Sequence, residues 1–131
     1  MPLKCVVVTP EGAILDADAD LVVFPAIDGE VGVLPRRMPL VARLGHGELR
    51  LSTEGRLVHR LFISGGFAQV AKDVVTILAG VAMTPSEINI PDVEKHLTTA
   101  EASPASTPEA RAEKMRVVGG LKAQIRFAQK A

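Results

Sequence analysis

The chain has no tryptophan or tyrosine, only four phenylalanines and a single cysteine. With so few aromatic rings it offers almost no platform for stacking bases, and its 15 Lys and Arg are matched by 15 Asp and Glu. A net charge of zero supplies no broad basic surface for a phosphate backbone, so no nucleic-acid partner is expected. One thiol, Cys5, closes no internal disulfide and builds no cysteine-rich metal site, which fits a reducing compartment. The longest apolar runs, such as Leu21 to Ile27, are broken by proline or charge well short of the roughly 18 residues of a membrane span. The Met-Pro-Leu-Lys start runs straight into a strand-like segment, with neither a signal nor a transit pattern ahead of it, so the reading is of a protein kept in the cytoplasm.

Motifs of catalysis are equally scarce. There is no G-x-x-x-x-G-K-[ST] loop, no G-x-S-x-G elbow and no paired Cys/His arrangement. Ser64-Gly65-Gly66 lacks the lysine and following helix of a phosphate cradle and reads as a bend between strands. Asp16, Asp18 and Asp20 imitate the opening of an EF-hand loop, but Leu21 and Ile27 stand where that loop needs Gly and Glu. A solvent-facing strand edge accounts for them better. His46, His59 and His96 are scattered without ligand spacing, so neither metal nor cofactor is expected.

What remains is ample material for a core: 131 residues, 47% of them hydrophobic. From Leu3 to about Ala79 the chain is a series of short β-type runs separated by turn chemistry, the pattern of a sandwich or barrel. The runs are Lys4–Val8, Ala13–Asp18, Leu21–Phe24, Leu40–Leu44, Leu49–Leu51, Leu57–Ile63, Phe67–Val70 and Val74–Leu78. Between them lie Thr9-Pro10-Glu11-Gly12, Asp28-Gly29, Gly45-His46-Gly47, Glu54-Gly55, Gly65-Gly66 and Lys72-Asp73. About eight to ten strands fit, and in Ala13 to Asp18 the alternation predicts one wet and one dry face.

Near Thr84-Pro85-Ser86 the period changes. Ile90, Val93, Leu97 and Ala100 recur at helical spacing, predicting a short helix from about Pro91 to Glu101 with Asp92 and Glu94 in its first turn. Ala102 to Ser106 is a linker, and Thr107-Pro108-Glu109 caps a second helix. The apolar stripe expected on that helix is Met115, Val118, Leu121, Ile125 and Ala128, and Gly119-Gly120 weakens it by roughly 1 kcal/mol per glycine. The division is therefore a β unit over residues 1–84 and a helical hairpin over 85–131. The tail is locally basic: Arg111, Lys114, Arg116, Lys122, Arg126 and Lys130 face only Glu109 and Glu113. Such a run is either a solvated helix face or a docking surface for an acidic partner.

Four motifs then occur in order: Gly29-Glu30-Val31-Gly32-Val33-Leu34-Pro35, Met38-Pro39-Leu40, Ile63-Ser64-Gly65-Gly66-Phe67 with Val70, and Val75-Thr76-Ile77-Leu78-Ala79. Together with the opening Val8-Thr9-Pro10-Glu11-Gly12 they strongly resemble the epsilon subunit of bacterial F-type ATP synthases. The resemblance covers the β portion almost completely and the C-terminal part in layout. It implies a mainly β protein, a ten-stranded β-sandwich followed by a C-terminal two-helix hairpin. It also implies a non-catalytic central-stalk role, joining the gamma subunit to the membrane ring of c subunits at the cytoplasmic face of the inner membrane, for ATP synthesis driven by a proton or sodium gradient.

Carried over residue by residue, the ring-facing positions are Gly29, Glu30, Arg36, Arg37 and Met38, opposite the polar loops of the c ring. This chain reads Arg36-Arg37-Met38-Pro39 where the family usually reads Gly-His-Ala-Pro. The resemblance further implies an inhibitory second helix, whose basic residues Arg111, Lys114, Arg116, Lys122 and Arg126 meet acidic segments of the catalytic beta subunits. Family members that bind ATP on the hairpin read Ile/Leu-Asp-x-x-Arg-Ala at the first helix. Here Pro91-Asp92-Val93-Glu94-Lys95-His96 keeps only the aspartate and places Lys for Arg, and lysine lacks the planar bidentate fork. ATP binding is accordingly expected to be weak or absent. A rival reading of the same residues is a free-standing β-sandwich that binds a ligand or performs hydrolysis, which requires a pocket with converging polar groups.

Overall fold

The computed structural model describes residues 2–129; Lys130 of the basic tail lies outside them. The chain divides into two compact units, Met1–Thr84 and Pro85–Ala131. The first is all β: β1 (Leu3–Thr9), β2 (Gly12–Ala19), β3 (Leu21–Ala26), β4 (Gly29–Val33), β5 (Leu40–Arg43), β6 (His46–Thr53), β7 (Arg56–Ala71) and β8 (Val74–Met83). These eight strands form one sheet in the order β2-β1-β8-β7-β6-β3-β4, with β5 also on β7. Pairing is antiparallel except between β1 and β8.

The eight strands fall within the eight to ten that the sequence accommodates, but the run boundaries differ at β7. Leu57–Ile63 and Phe67–Val70, expected as two strands with a bend at Gly65-Gly66, are halves of one 16-residue strand. Its first half pairs with β6 up to Ser64, and from Phe67 to Val70 the same edge is taken over by β5. β8 follows β7 along its other edge from Phe62 to Ala71. Gly66 sits at the handover with φ +102, and a Cβ there would come within 1.9 Å of the Leu78 carbonyl oxygen. No other residue type fits so close a backbone approach. β4 was also missed, because Gly29-Glu30-Val31-Gly32 reads as a loop until Val31 and Val33 find partners in Phe24 and Val22.

The sheet folds over its own apolar face. β1 approaches β3 and β2 approaches β6 without hydrogen bonding to them, which makes two layers. The core between the layers holds Leu3, Cys5 and Val7 of β1, Val22 and Phe24 of β3, Leu49 and Leu51 of β6, and Val75 and Ile77 of β8, all fully buried. Each set follows the period of two that an extended strand imposes. In β2, Asp16 and Asp18 are exposed and Leu15 and Ala17 half-buried, as the alternation predicts. Two hairpin turns, Glu54-Gly55 and Lys72-Asp73, have both central residues at positive φ, the arrangement whose twist suits two-residue β-hairpins.

In the second unit a 3₁₀ turn (Pro85–Glu87) precedes α1 (Ile90–Ala102) and α2 (Pro108–Gln129), which pack on each other. Asn89 caps α1 by accepting the Asp92 amide at 3.2 Å, and Thr107 caps α2 by accepting the Ala110 amide at 3.0 Å. The α2 helix passes through Gly119-Gly120 without a break. Its burial departs from the expected stripe. Met115 is 76% exposed, Val118, Leu121, Ile125 and Ala128 are half-buried, and the buried residues are Ala123 and Phe127. At 100° per residue these two lie on the side opposite Val118 and Ile125, so a single-stripe reading of so weakly amphipathic a helix misses them.

Burial and the nearby Asp16 carboxylate push the Cys5 thiol up from 9.0 to about 12. Because the folded state keeps this proton where the unfolded state releases it, Cys5 contributes stability fully below pH 9 and loses it between about pH 9 and 12. The loss reaches about 1.4 kcal/mol per pH unit. Urea unfolding of the wild type and of Cys5→Ala is expected to show a stability gap that narrows between pH 8 and 10.5, and a constant gap contradicts the assignment.

Candidate functional surface

The resemblance singled out Gly29, Glu30, Arg36, Arg37 and Met38, and the strand geometry separates them into two groups. Gly29 and Glu30 open β4, following the two-residue turn Ile27-Asp28 that joins it to β3. Arg36, Arg37 and Met38 come after its far end, in the loop of residues 34–39. Four residues of extended chain separate Glu30 from Leu34, about 13 Å.

Glu30 is the outer end of an ion-pair ladder that draws on β4, β6 and β7 and crosses over β3, which lies between β4 and β6. Arg50 of β6 grips it with both guanidinium nitrogens, Nη1 to Oε2 at 2.9 Å and Nη2 to Oε1 at 3.3 Å. The Arg50 Nη1 also reaches Glu48 Oε1 at 3.3 Å, and Glu48 Oε2 accepts from Arg60 Nε at 2.7 Å. The bond from Glu30, ahead of the Glu48 contacts, holds the Arg50 guanidinium above its ordinary pKa. Exposure falls inward along the ladder, from 54% of the Glu30 side chain to 12% of Glu48. Sequence reasoning missed Glu48, Arg50 and Arg60; Glu48-x-Arg50 was the available signal, since a spacing of two puts both on one face of a strand.

The loop is anchored differently. Arg36 has φ +68, left-handed backbone that a side chain disfavours, and its amide donates to Asp73 Oδ1 at 2.6 Å. Asp73 belongs to the β7–β8 turn, and its own carbonyl accepts the Lys4 amide at 2.9 Å. Arg36, Arg37, Met38 and Leu34 are exposed, Met38 by 81%. A cationic and apolar tip is thus tied to two strands at its base.

A separate exposed area is apolar. The register sets Phe67 of β7 between Arg43 of β5 and Leu78 of β8, with Val8 of β1 beyond Leu78. Phe67 and Leu78 are exposed and their neighbours Ala68 and Ile77 are buried, so this row lies on the outer face of the sheet. Val41, two residues before Arg43, extends it.

On α2, Arg111, Lys114, Lys122 and Arg126 fall within an arc of about 120°, whereas Arg116 lies some 140° round from Arg111. Arg116 forms a close ion pair with Glu113, which holds that carboxyl below and the guanidinium above their ordinary values. The Lys114 ammonium donates to the Ser103 carbonyl at the end of α1, at 2.9 Å. Arg111, Lys122 and Arg126 are exposed.

The residues weighed for chemistry are dispersed. His46, His59 and His96 sit in β6, β7 and α1. Asp20 accepts the Glu54 amide at 2.8 Å, a structural use of that carboxylate. No group of three potential metal ligands occurs among the described residues. Neither does any described helix combine the length and apolarity needed to cross a membrane.

The ladder carries its own test. Removing the charge of Glu48 strips two guanidinium groups of a shared, largely desolvated partner, whereas Glu30 is half in water. Glu48→Gln is expected to cost about 1–2 kcal/mol and Glu30→Gln under about 0.5. Urea unfolding of both variants measures this, and equal losses contradict the gradient along the ladder.

Comparison with known proteins places the chain. Residues 2–85 match the family model of the ATP synthase delta/epsilon chain β-sandwich domain. The ATP synthase epsilon chain of Rhodopirellula baltica is 44% identical over 126 residues, covering 96% of this chain and 98% of that relative. That of Halalkalibacterium halodurans is 42% identical over 107 residues, covering 82% and 77%. Among solved structures, a chain of the Euglena gracilis mitochondrial ATP synthase, in a complex described as OSCP/F1/c-ring, aligns with a TM-score of 0.82 at 25% identity, covering 99% of this chain and 82% of that one. A chain of the Tetrahymena thermophila mitochondrial ATP synthase, in a structure of its central stalk and c ring, aligns at 0.71 over 99% and 96%; at 14% identity it speaks for the fold alone. Since the family model spans the whole β unit and relatives match well beyond it, the chain belongs to the ATP synthase epsilon-chain family, a non-catalytic subunit of that complex.

Proposed function

We propose that the chain is a rotor part of the central stalk, joining the gamma subunit to the ring of c subunits. The observation that carries this reading is the match to an epsilon chain over 96% of this chain and 98% of that relative, in a chain whose loop of residues 34–39 exposes Arg36, Arg37 and Met38. A rotor part needs a stiff body and two contact faces. The two-layer sheet supplies stiffness, since its strands are cross-paired and its core is dry. Arg36, Arg37 and Met38 suit the polar ring loops, where guanidinium groups pair with carboxylates and backbone carbonyls. Gly29 and Glu30, at the other end of β4, form a second patch of that contact, with the Glu30 carboxylate gripped by Arg50. The apolar row Val41, Phe67 and Leu78 suits gamma, because exposed apolar area of this kind marks a protein interface. The site of action is then the cytoplasmic side of the inner membrane, with the chain bound peripherally.

Arg37→Glu in the assembled complex is the test. It is expected to lower ATP-driven proton pumping several-fold while leaving ATP hydrolysis by the detached catalytic head within twofold, because reversing a charge at an interface costs complementarity there alone. Unchanged pumping contradicts the ring contact.

We further propose that the hairpin is a separable brake on ATP hydrolysis. Arg111, Lys122 and Arg126 are its contact residues for acidic segments of the catalytic beta subunits. Lys114 and Arg116 take part only by leaving their partners Ser103 and Glu113. ATP binding to the hairpin is weak or absent, as Lys95 stands in place of a bidentate arginine. Truncation after Thr84 is expected to leave a folded sandwich that binds gamma and to raise hydrolysis, and inhibition by the full chain is expected to fade as salt rises through the range that screens exposed charges. Hydrolysis rates of the truncated, full-length and Arg111→Ala/Lys122→Ala/Arg126→Ala forms decide it. Equal rates for all three contradict the brake.

A further inference from the structure

The loop of residues 34–39 follows β4 and carries its exposed residues at the tip, an arrangement that ordinarily leaves a segment mobile. Two observations oppose this. Arg36 holds φ +68, a region from which its side chain would normally drive the backbone. Its amide nevertheless meets the Asp73 carboxylate at 2.6 Å, across 37 residues of sequence. Asp73 is itself fixed, with φ +61 in the two-residue turn after β7 and its carbonyl bound by the Lys4 amide at 2.9 Å. One residue thus connects the start of β1, the β7–β8 turn and the base of the loop.

We propose that Asp73 is a positioning residue for the exposed tip Arg37-Met38. Its carboxylate holds Arg36 in the left-handed conformation, and the tip is therefore presented already shaped. The energetic logic is that of preorganisation: a loop ordered before contact loses little conformational freedom on contact. A glycine at position 36 would adopt this backbone without strain but would also leave it freely. An arginine there needs an external anchor, and the carboxylate supplies one. The consequence for function rests on the ring-contact reading above, whereas the anchor itself does not.

The experiment uses the full chain and two substitutions at one position. Asp73→Gly keeps a residue at ease with positive φ and removes the anchor; Asp73→Asn keeps both the turn preference and an acceptor oxygen. Amide hydrogen exchange is expected to show Arg36 protected in the wild type and in Asp73→Asn, and about tenfold faster in Asp73→Gly, the change due to one lost hydrogen bond. In the assembled complex, Asp73→Gly is expected to lower ATP-driven proton pumping and Asp73→Asn to restore it. An unprotected Arg36 amide in the wild type overturns the anchor. Loss of protection in Asp73→Gly with pumping intact, while Arg37→Glu lowers pumping, overturns the positioning role and leaves the ring contact standing. If Arg37→Glu also leaves pumping intact, it is the ring contact that fails.

Discussion

The backbone of β7 passes so close to β8 at Gly66 that a single methyl group would meet the Leu78 carbonyl at 1.9 Å. Much of the β unit depends on that approach. It lets one 16-residue strand serve β6 with its first half and β5 with its second, so that the sheet can turn back over its own apolar face. The Leu44 amide reaches the Gly66 carbonyl and the Gly65 amide the Gly45 carbonyl, closing the corner between β5, β6 and β7. From the corner follow the positions of the β7–β8 turn with Asp73 and of the loop that Asp73 holds.

Charge is used differently in the two units of a chain whose total is zero. On the sheet, Glu30, Arg50, Glu48 and Arg60 neutralise one another in a ladder whose inner members are nearly dry. Such a ladder contributes little net stability, yet it is costly to break from one side, since the remaining charge keeps its desolvation penalty. On α2 the basic residues stand in water, where pairing is worth little and is readily exchanged for another partner. The ladder residues therefore satisfy one another, whereas Arg36 and Arg37 of the β unit and Arg111, Lys122 and Arg126 of α2 stand exposed.

The sandwich class, both helices and the change of period near Thr84 were legible in the sequence because they rest on local periodicity and cap chemistry. Asp16 and Asp18 against Leu15 and Ala17, and Thr107-Pro108, needed no knowledge of distant neighbours. The misses are non-local. Gly65-Gly66 reads as a bend until β8 is beside it, and Gly29–Val33 reads as a loop until β3 pairs with it. Ala123 and Phe127 were passed over because α2 buries residues on two sides and its periodicity announces only one. At the candidate surface, the motif residues were legible through resemblance. Asp73, Glu48 and Arg50 were not, because their roles depend on partners as many as 37 residues away.

The central claim is that this chain bridges gamma and the c ring as part of the rotor. Solubilised membranes from cells expressing a tagged full-length chain test it most directly, through the proteins retained on the tag. The account predicts that gamma and c subunits are both retained with the chain, in the proportions of an intact complex. Recovery of the chain alone, without gamma or c, would contradict it.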